Sequence, residues 1–169
     1  MLNNCPQVTL RPARLEDCPE IYRVHRHAVR YVCTQTYNER VMHNWLAIIN
    51  HDGYSESMSY KNGAFWVAEY QNQIQGFFEV DFAISRLEAL YVHPFFHRLG
   101  IGTAMLLRAE ELFKQANLSV VNLYASENAV SFYQHNEYKI KGAAKQPLTL
   151  DNVVEPLAID CKYMIKRLL

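Results

Sequence analysis

The sequence is short of cysteine and net charge, and each shortage excludes a class of protein. Four cysteines occur in 169 residues, Cys5, Cys18, Cys33 and Cys161. None forms a C-x-x-C pair, and the spacing is too wide for a zinc site and the number too small for a disulfide scaffold. They are expected to be reduced thiols in a cytoplasmic protein. The seven histidines are equally dispersed. The pair in "HRH" at 25–27 falls on different helix faces, so no metal is expected. Seventeen basic residues balance seventeen acidic ones, which argues against a nucleic-acid partner, since that normally selects a basic face. No apolar run reaches the roughly 18 residues that suggest a membrane span. The start, "MLNNCPQVTL", has neither a charged nor an apolar leader segment, so no signal peptide is expected. Repeats, low-complexity tracts and linkers are missing too, which predicts one domain over residues 1–169.

What is present is apolar material, half of all residues, enough for a sizeable core. "QVTLRPA" alternates as a strand. Asp17 then opens a helix, with Pro19 in its first turn and Glu20 placed to close a capping box. Ile21, Val24, Ala28 and Tyr31 give that helix its apolar stripe. "ERVMHNWLAIIN" reads as a second helix and "HDGYSESMSYKNG" as a polar loop. "AFWVAEY" and "IQGFFEV" form a hairpin across "QNQ". A strand at 86–92 leads into an amphipathic helix from about 101 to 116. The strand "SVVNLYA", a short helix in "ENAVSFYQHN" and the strand "YKIKGAA" follow. The last strand alternates Ile159, Cys161, Tyr163 and Ile165 with Asp160, Lys162, Met164 and Lys166, and such a strand could pair across a homodimer. The sum is an α/β (α+β) chain: a single mixed, mostly antiparallel sheet of about seven strands flanked by about four helices.

Chemistry concentrates in "LEALYVHPFFHRLGIGTAMLLRAEE", residues 87–111, where a strand passes into a helix through Gly100 and Gly102. Glycines at a helix N-terminus leave unpaired N–H groups and the positive end of the helix dipole open to an anion. Glycine also simply ends strands, so the turn alone decides nothing. The dinucleotide fingerprint would need a third glycine where Met105 stands, and no G-K-[ST] string exists for a P-loop. A nucleotide-binding reading therefore loses both of its fingerprints.

"LYVHPFFHRLGIGTAML" resembles the acyl-coenzyme A motif of the GNAT acetyltransferase superfamily, [QR]-x-x-G-x-[GA]. "VTLRPARLEDCPEI", "FWVAEYQNQIQGFFEV" and "ENAVSFYQHNEYKI" are similar to its opening strand and helix, its hairpin and its Asn…Phe-Tyr segment. Two positions depart. His97 stands where Gln or Arg is usual, and Glu137 where Gly is usual, with Asn136 able to take the left-handed turn instead. The resemblance implies a GNAT fold and an acetyl-CoA-dependent N-acetyltransferase acting by direct attack in a ternary complex, with a small-molecule or peptide amine as acceptor. It implies a pantetheine arm between the strands at 86–92 and 119–125, along Leu90, Tyr91 and Val92, and a pyrophosphate on the N–H groups of Arg98, Leu99, Gly100, Ile101, Gly102 and Thr103, with His97 beside them as the first motif position. Asn128 would contact the cofactor or cap its helix. Tyr133 would protonate the leaving thiolate, though Phe132 and Tyr133 also fit as core aromatics. Glu88 would serve as base, with Glu79 beside it as the alternative, and Glu88 equally fits an ion pair with Arg86. The acceptor pocket would draw on the first two helices and residues 51–63, with Tyr31, Tyr37, Trp45, Tyr54 and Tyr60. The competing reading is a catalytically silent acyl-CoA sensor of the same fold.

Overall fold

A computed structural model describes residues 7–148 and 157–169; Cys5 and the leader expectation lie outside them. Seven strands form one sheet in the order β1-β2-β3-β4-β5-β7-β6. They are β1 (Thr9–Pro12), β2 (Gly63–Tyr70), β3 (Gln73–Asp81), β4 (Arg86–Val92), β5 (Val120–Ser126), β6 (Lys139–Leu148) and β7 (Leu157–Arg167). Every neighbouring pair is antiparallel except β4 with β5. The hairpin between β2 and β3 turns on Gln71 and Asn72, both at positive φ, the conformation that matches strand twist in a two-residue loop.

Five helices cover the sheet: α1 (Cys18–Val32), α2 (Glu39–Ile48), α3 (His51–Ser59), α4 (Ile101–Gln115) and α5 (Val130–His135). On one face α1, α2 and α3 bury Ile21, Val24, Trp45 and Tyr54 against Phe65 and Phe77. On the other, α4 sets Met105, Leu106, Ala109 and Phe113 against Phe78, Leu123 and Met164. Glu110 is buried within the apolar side of α4. Lys166 of β7 satisfies its carboxylate with contacts of 2.9 and 3.0 Å, the pairing that a buried charge requires.

The structure corrects several sequence expectations. Residues 51–59 are a helix rather than loop, because Asn50 accepts from Gly53 N at 2.9 Å and starts it. Tyr54 then docks into the core. Asp17 does not cap α1. It accepts from Arg14 N at 2.7 Å and pairs with Arg11 at 2.7 Å, closing the short turn before the helix. Glu20 pairs with Arg23 instead of closing a capping box. Tyr31 leaves the apolar stripe and is exposed, its place taken by Val29. Glu137 itself takes the left-handed turn at φ 70°, while Asn136 stays at φ −99°. Finally, β7 is not an edge strand over most of its length, since β5 pairs with Cys161–Arg167 and β6 with Leu157–Ile165.

Candidate functional site

The one parallel pair in the sheet is barely a pair. β4 and β5 are in register only at Arg86 and Asn122, and side chains pin them there. Arg86 Nε donates to Asn122 Oδ1 at 2.8 Å, and Asn122 Nδ2 donates to the Ile84 and Ser85 carbonyls. Beyond this clamp the strands part and leave a cleft of about 370 Å³. Its walls come from Leu90, Tyr91 and Val92 of β4, the N-terminus of α4, the segment from Ser126 to Tyr133, and Ala28 and Cys33 of the first helical layer.

The turn that enters the cleft is built for exposed N–H groups. His93 begins a short helical turn at Pro94–Phe96. Arg98 at φ 60° and Gly100 at φ 80° then reverse the chain. Only glycine holds such a φ without cost, since a Cβ would crowd the carbonyl. The first bond closing α4 runs from Ala104 N to Gly100 O at 2.9 Å. The N–H groups of residues 98–103 precede it, and among the described residues none donates to a backbone carbonyl. A Cβ added at Gly102 would stand 3.4 Å from the Phe132 ring and 3.7 Å from Val92 Cγ2, so this glycine opens the floor of the cleft. His97, Arg98, Gly100, Gly102 and Thr103 all line it. Leu99 and Ile101 do not: Leu99 is exposed, and Ile101 is buried at the start of α4. His97 holds the turn by a side-chain bond, its Nε2–H donating to Val92 O at 3.0 Å.

A second, smaller cavity of about 80 Å³ lies against the first and shares Leu90, Tyr91, Ser126, Ala129 and Tyr133 with it. Tyr133 thus stands on the boundary of both, 7% exposed, and burial raises its phenol above the usual range. Glu88 lines only the smaller cavity. The β3–β4 register steps from Glu79↔Ala89 to Val80↔Leu87 and leaves Glu88 unpaired in a bulge, a device that re-aims a side chain. Burial raises its carboxyl, opposed by Arg86 at 3.8 Å and assisted by Asp81. Glu79 is also raised by burial but borders neither cavity.

Asn128 lines the larger cleft and caps nothing. Its Oδ1 accepts from the Cys33 thiol at 3.7 Å, and burial pushes that thiol up to about 12. Of the five aromatics expected around an acceptor, only Trp45 lines either of these two cavities. Tyr31 and Tyr60 are exposed and Tyr54 is core. Tyr37 bridges backbone, donating to Asp160 O and accepting from Glu127 N. The sheet supplies the aromatic walls instead, through Tyr91 and Tyr124. Cys33, Phe132, Tyr124 and Gln146 escaped sequence reasoning; only Phe132, in the Phe-Tyr pair, carried a signal. Among the described residues no group of three or more potential metal-ligating side chains occurs, and no helix is long and apolar enough to cross a membrane.

A family model described as an acetyltransferase (GNAT) domain matches residues 33–146. Solved structures share the fold. A GCN5-related N-acetyltransferase from Rhodopseudomonas palustris superposes with a TM-score of 0.81 at 20% identity, over 96% of each chain. The PaiA N-acetyltransferase from Thermoplasma acidophilum, solved with coenzyme A, gives 0.76 at 22% identity over 95% of this chain and 99% of that one. A Salmonella typhimurium protein solved with its cofactor acetyl-CoA gives 0.63 at 22% identity, covering 96% and 94%. No curated protein matches the chain in sequence.

Proposed function

The chain belongs to the GNAT acetyltransferase family, and from that premise we propose that it transfers acetyl from acetyl-CoA to a primary amine, by direct attack with both substrates bound. The observation that carries the proposal is the meeting of two cavities at Tyr133, with glycine-exposed N–H groups in one and a carboxylate in the other. Coenzyme A fits the residues present. The unpaired N–H groups of residues 98–103 and the N-terminus of α4 suit a pyrophosphate. The open floor at Gly102 admits it, and Leu90 to Val92, parted from β5, offer backbone to a pantetheine amide. Tyr91 and Asn128 lie along the same cleft. Two of the structural relatives were solved with coenzyme A or acetyl-CoA, which supports carrying the ligand to this chain.

Bound acetyl-CoA supplies a thioester, whose C–S bond is exchanged for a C–N bond to the acceptor. The residues then have separate tasks. An alkyl ammonium with a pKa near ~10 carries no lone pair at neutral pH, so a base must first remove a proton. Glu88 takes that role, directly or through water, and its raised pKa makes it a better acceptor than an ordinary glutamate. Tyr133, kept protonated by burial, donates to the leaving sulfur. Cys33 takes no part, because a thiol held near 12 is not a nucleophile at neutral pH. A shared cavity with both groups favours an enzyme over a silent acyl-CoA sensor. The reading extends to one domain and a cytoplasmic setting, supported by three buried unpaired thiols, Cys18, Cys33 and Cys161.

The proposal is tested by thermal shift. Acetyl-CoA at about 100 times its Kd should stabilise the chain by roughly 2.7 kcal/mol through mass action, whereas NAD and ATP should not. Indifference to acetyl-CoA would remove the coenzyme A reading.

Two variants divide the chemistry. Glu88→Gln should lower kcat/KM by about 10²-fold at neutral pH, the modest end for a base because its side chain is 32% exposed and water shares the work. Activity should recover as the pH rises and the amine deprotonates unaided. The sign follows from the raised pKa: the active carboxylate is lost as pH falls, at a higher pH than for an ordinary glutamate, and this acid limb should vanish in the glutamine variant. An unchanged pH profile would move the role to Glu79 or to water. Cys33→Ser should keep kcat within about twofold, since no acyl-enzyme forms. Loss of turnover in that variant, with a +acetyl mass on the wild-type chain, would replace direct attack by a two-step route.

A further inference from the structure

We infer that Arg86 is a positioning residue for the proposed base: anchored in the clamp between β4 and β5, it holds the Glu88 carboxylate in place as an anion. This rests on the reading of Glu88 given above and adds a residue to it.

The guanidinium is fixed before it meets Glu88. Its Nε donates to Asn122 Oδ1 at 2.8 Å. Asn122 is held in turn, because its Nδ2 donates to the Ile84 and Ser85 carbonyls at 2.8 and 2.9 Å and its backbone N–H donates to Ser85 O at 2.9 Å. The guanidinium carbon also lies 4.8 Å from the centroid of the Tyr124 ring, a distance at which a ring attracts a cation. A planar guanidinium tied at Nε keeps few orientations. Its Nη1 is left 3.8 Å from Glu88 Oε1.

Glu88 has need of such a partner. The bulge leaves it opposite no residue of β3, and among the described residues Arg86 is the one cation paired with it. The other charges around it have the wrong sign. Asp81 of β3 raises its carboxyl further, and Glu79 of the same strand feels the charge of Glu88 as a repulsion. The elements that share the smaller cavity bring Trp45, Tyr91, Tyr124, Tyr133 and Gln146, all uncharged at neutral pH. Burial and two neighbouring carboxylates therefore favour the protonated acid, which cannot take a proton from an amine. Arg86 is the group that opposes them. The pair is partly exposed, at 26 and 32% of the side chains, so its effect is modest rather than large.

The test follows the Glu88 carboxyl directly. The full chain is labelled with glutamate carrying carbon-13 at Cδ, and the Glu88 signal is assigned by its loss in Glu88→Gln. Its titration midpoint should rise by about half a pH unit in Arg86→Met, which keeps a long stem beside Tyr124 and drops the charge. Arg86→Lys restores the charge and should bring the midpoint most of the way back. Asn122→Ala keeps the guanidinium and releases its anchor, so it should move the midpoint the same way by roughly half as much. That variant also decides the matter if Arg86→Met does not fold. An arginine that only ties β4 to β5 would cost thermal stability and leave the midpoint where it was, and that result overturns the inference. The acid limb of kcat/KM, measured with acetyl-CoA and n-butylamine, should move with the midpoint. A midpoint that moves while the acid limb stays overturns Glu88 as base, which is the underlying reading, and leaves its pairing with Arg86 intact.

Discussion

Replacing Gly102 with valine is expected to weaken acetyl-CoA binding by about 100-fold or more, a loss of roughly 2.8 kcal/mol. The argument is spatial. A Cβ at this position already stands 3.4 Å from the Phe132 ring, at the near limit of ordinary van der Waals contact, and the two methyls of valine must go further. They have either the cleft or the ring to displace. Filling the cleft removes the approach to the N–H groups of residues 98–103, whose value to an anion depends on contact distance. Pushing Phe132 aside moves the neighbour of Tyr133 and narrows the same cleft from the other wall. Helix α4 itself should survive, because residue 102 lies in its first turn, has a negative φ and has its apolar partners further along at Met105 and Leu106. Circular dichroism should therefore be close to wild type while a calorimetric titration with acetyl-CoA goes flat. Gly100→Ala is a useful contrast. Its Cβ would meet nothing within 4 Å, and the cost comes only from φ +80°, about 1–2 kcal/mol of backbone strain with no blocked ligand. Wild-type affinity in the valine variant would sink the coenzyme A assignment.

Local pattern and tertiary context divided the work of building this site, and they were not equally visible in the sequence. The strand at 86–92 and the helix that follows were readable because one alternates and the other repeats apolar residues at helical spacing, and both lie where expected. The hairpin was readable because "QNQ" leaves two residues able to take positive φ. The third helix was not. "HDGYSESMS" is polar with a glycine, and a single capping bond from Asn50 plus one buried tyrosine decide its state. The turn proposed to hold the cofactor announced itself through glycines, whose backbone freedom is a property of the residue. The acceptor walls did not. Tyr91 was expected only along the cofactor and Tyr124 read as an ordinary strand aromatic, whereas both line the smaller cavity where β4 parts from β5. Glu88 was nameable from its strand, but its direction depends on a bulge between β3 and β4 that no periodicity predicts. The tyrosines of the first helices were misread for the matching reason. Counting aromatic residues in a region says nothing about which way each ring faces, and Tyr31 and Tyr60 face solvent.

Tyr133→Phe is expected to lower kcat by about 10²-fold while leaving the Kd for acetyl-CoA within a few-fold, a barrier increase near 2.7 kcal/mol. The substitution deletes one oxygen and keeps the ring, which packs edge-on against Phe132 and Tyr138 at centroid distances of 5.1 and 5.6 Å. Those contacts involve the ring alone, so fold and cleft shape should persist. The hydroxyl has no protein hydrogen-bond partner among the described residues, yet it is not one of the fully enclosed unpaired atoms, unlike the Tyr138 hydroxyl. It is therefore open to a ligand at the boundary of the two cavities. Burial raises its pKa, so it remains a proton donor throughout the range in which Glu88 is ionised, and the two groups do not compete for one proton. A thiolate is a tolerable leaving group without help, which is why the low end of the general-acid range applies. The split between kcat and Kd is the decisive readout. Wild-type turnover would make Tyr133 a packing residue. A parallel loss of acetyl-CoA affinity would make it a positioning residue, and the leaving sulfur would then have to take its proton from water or from the acceptor itself.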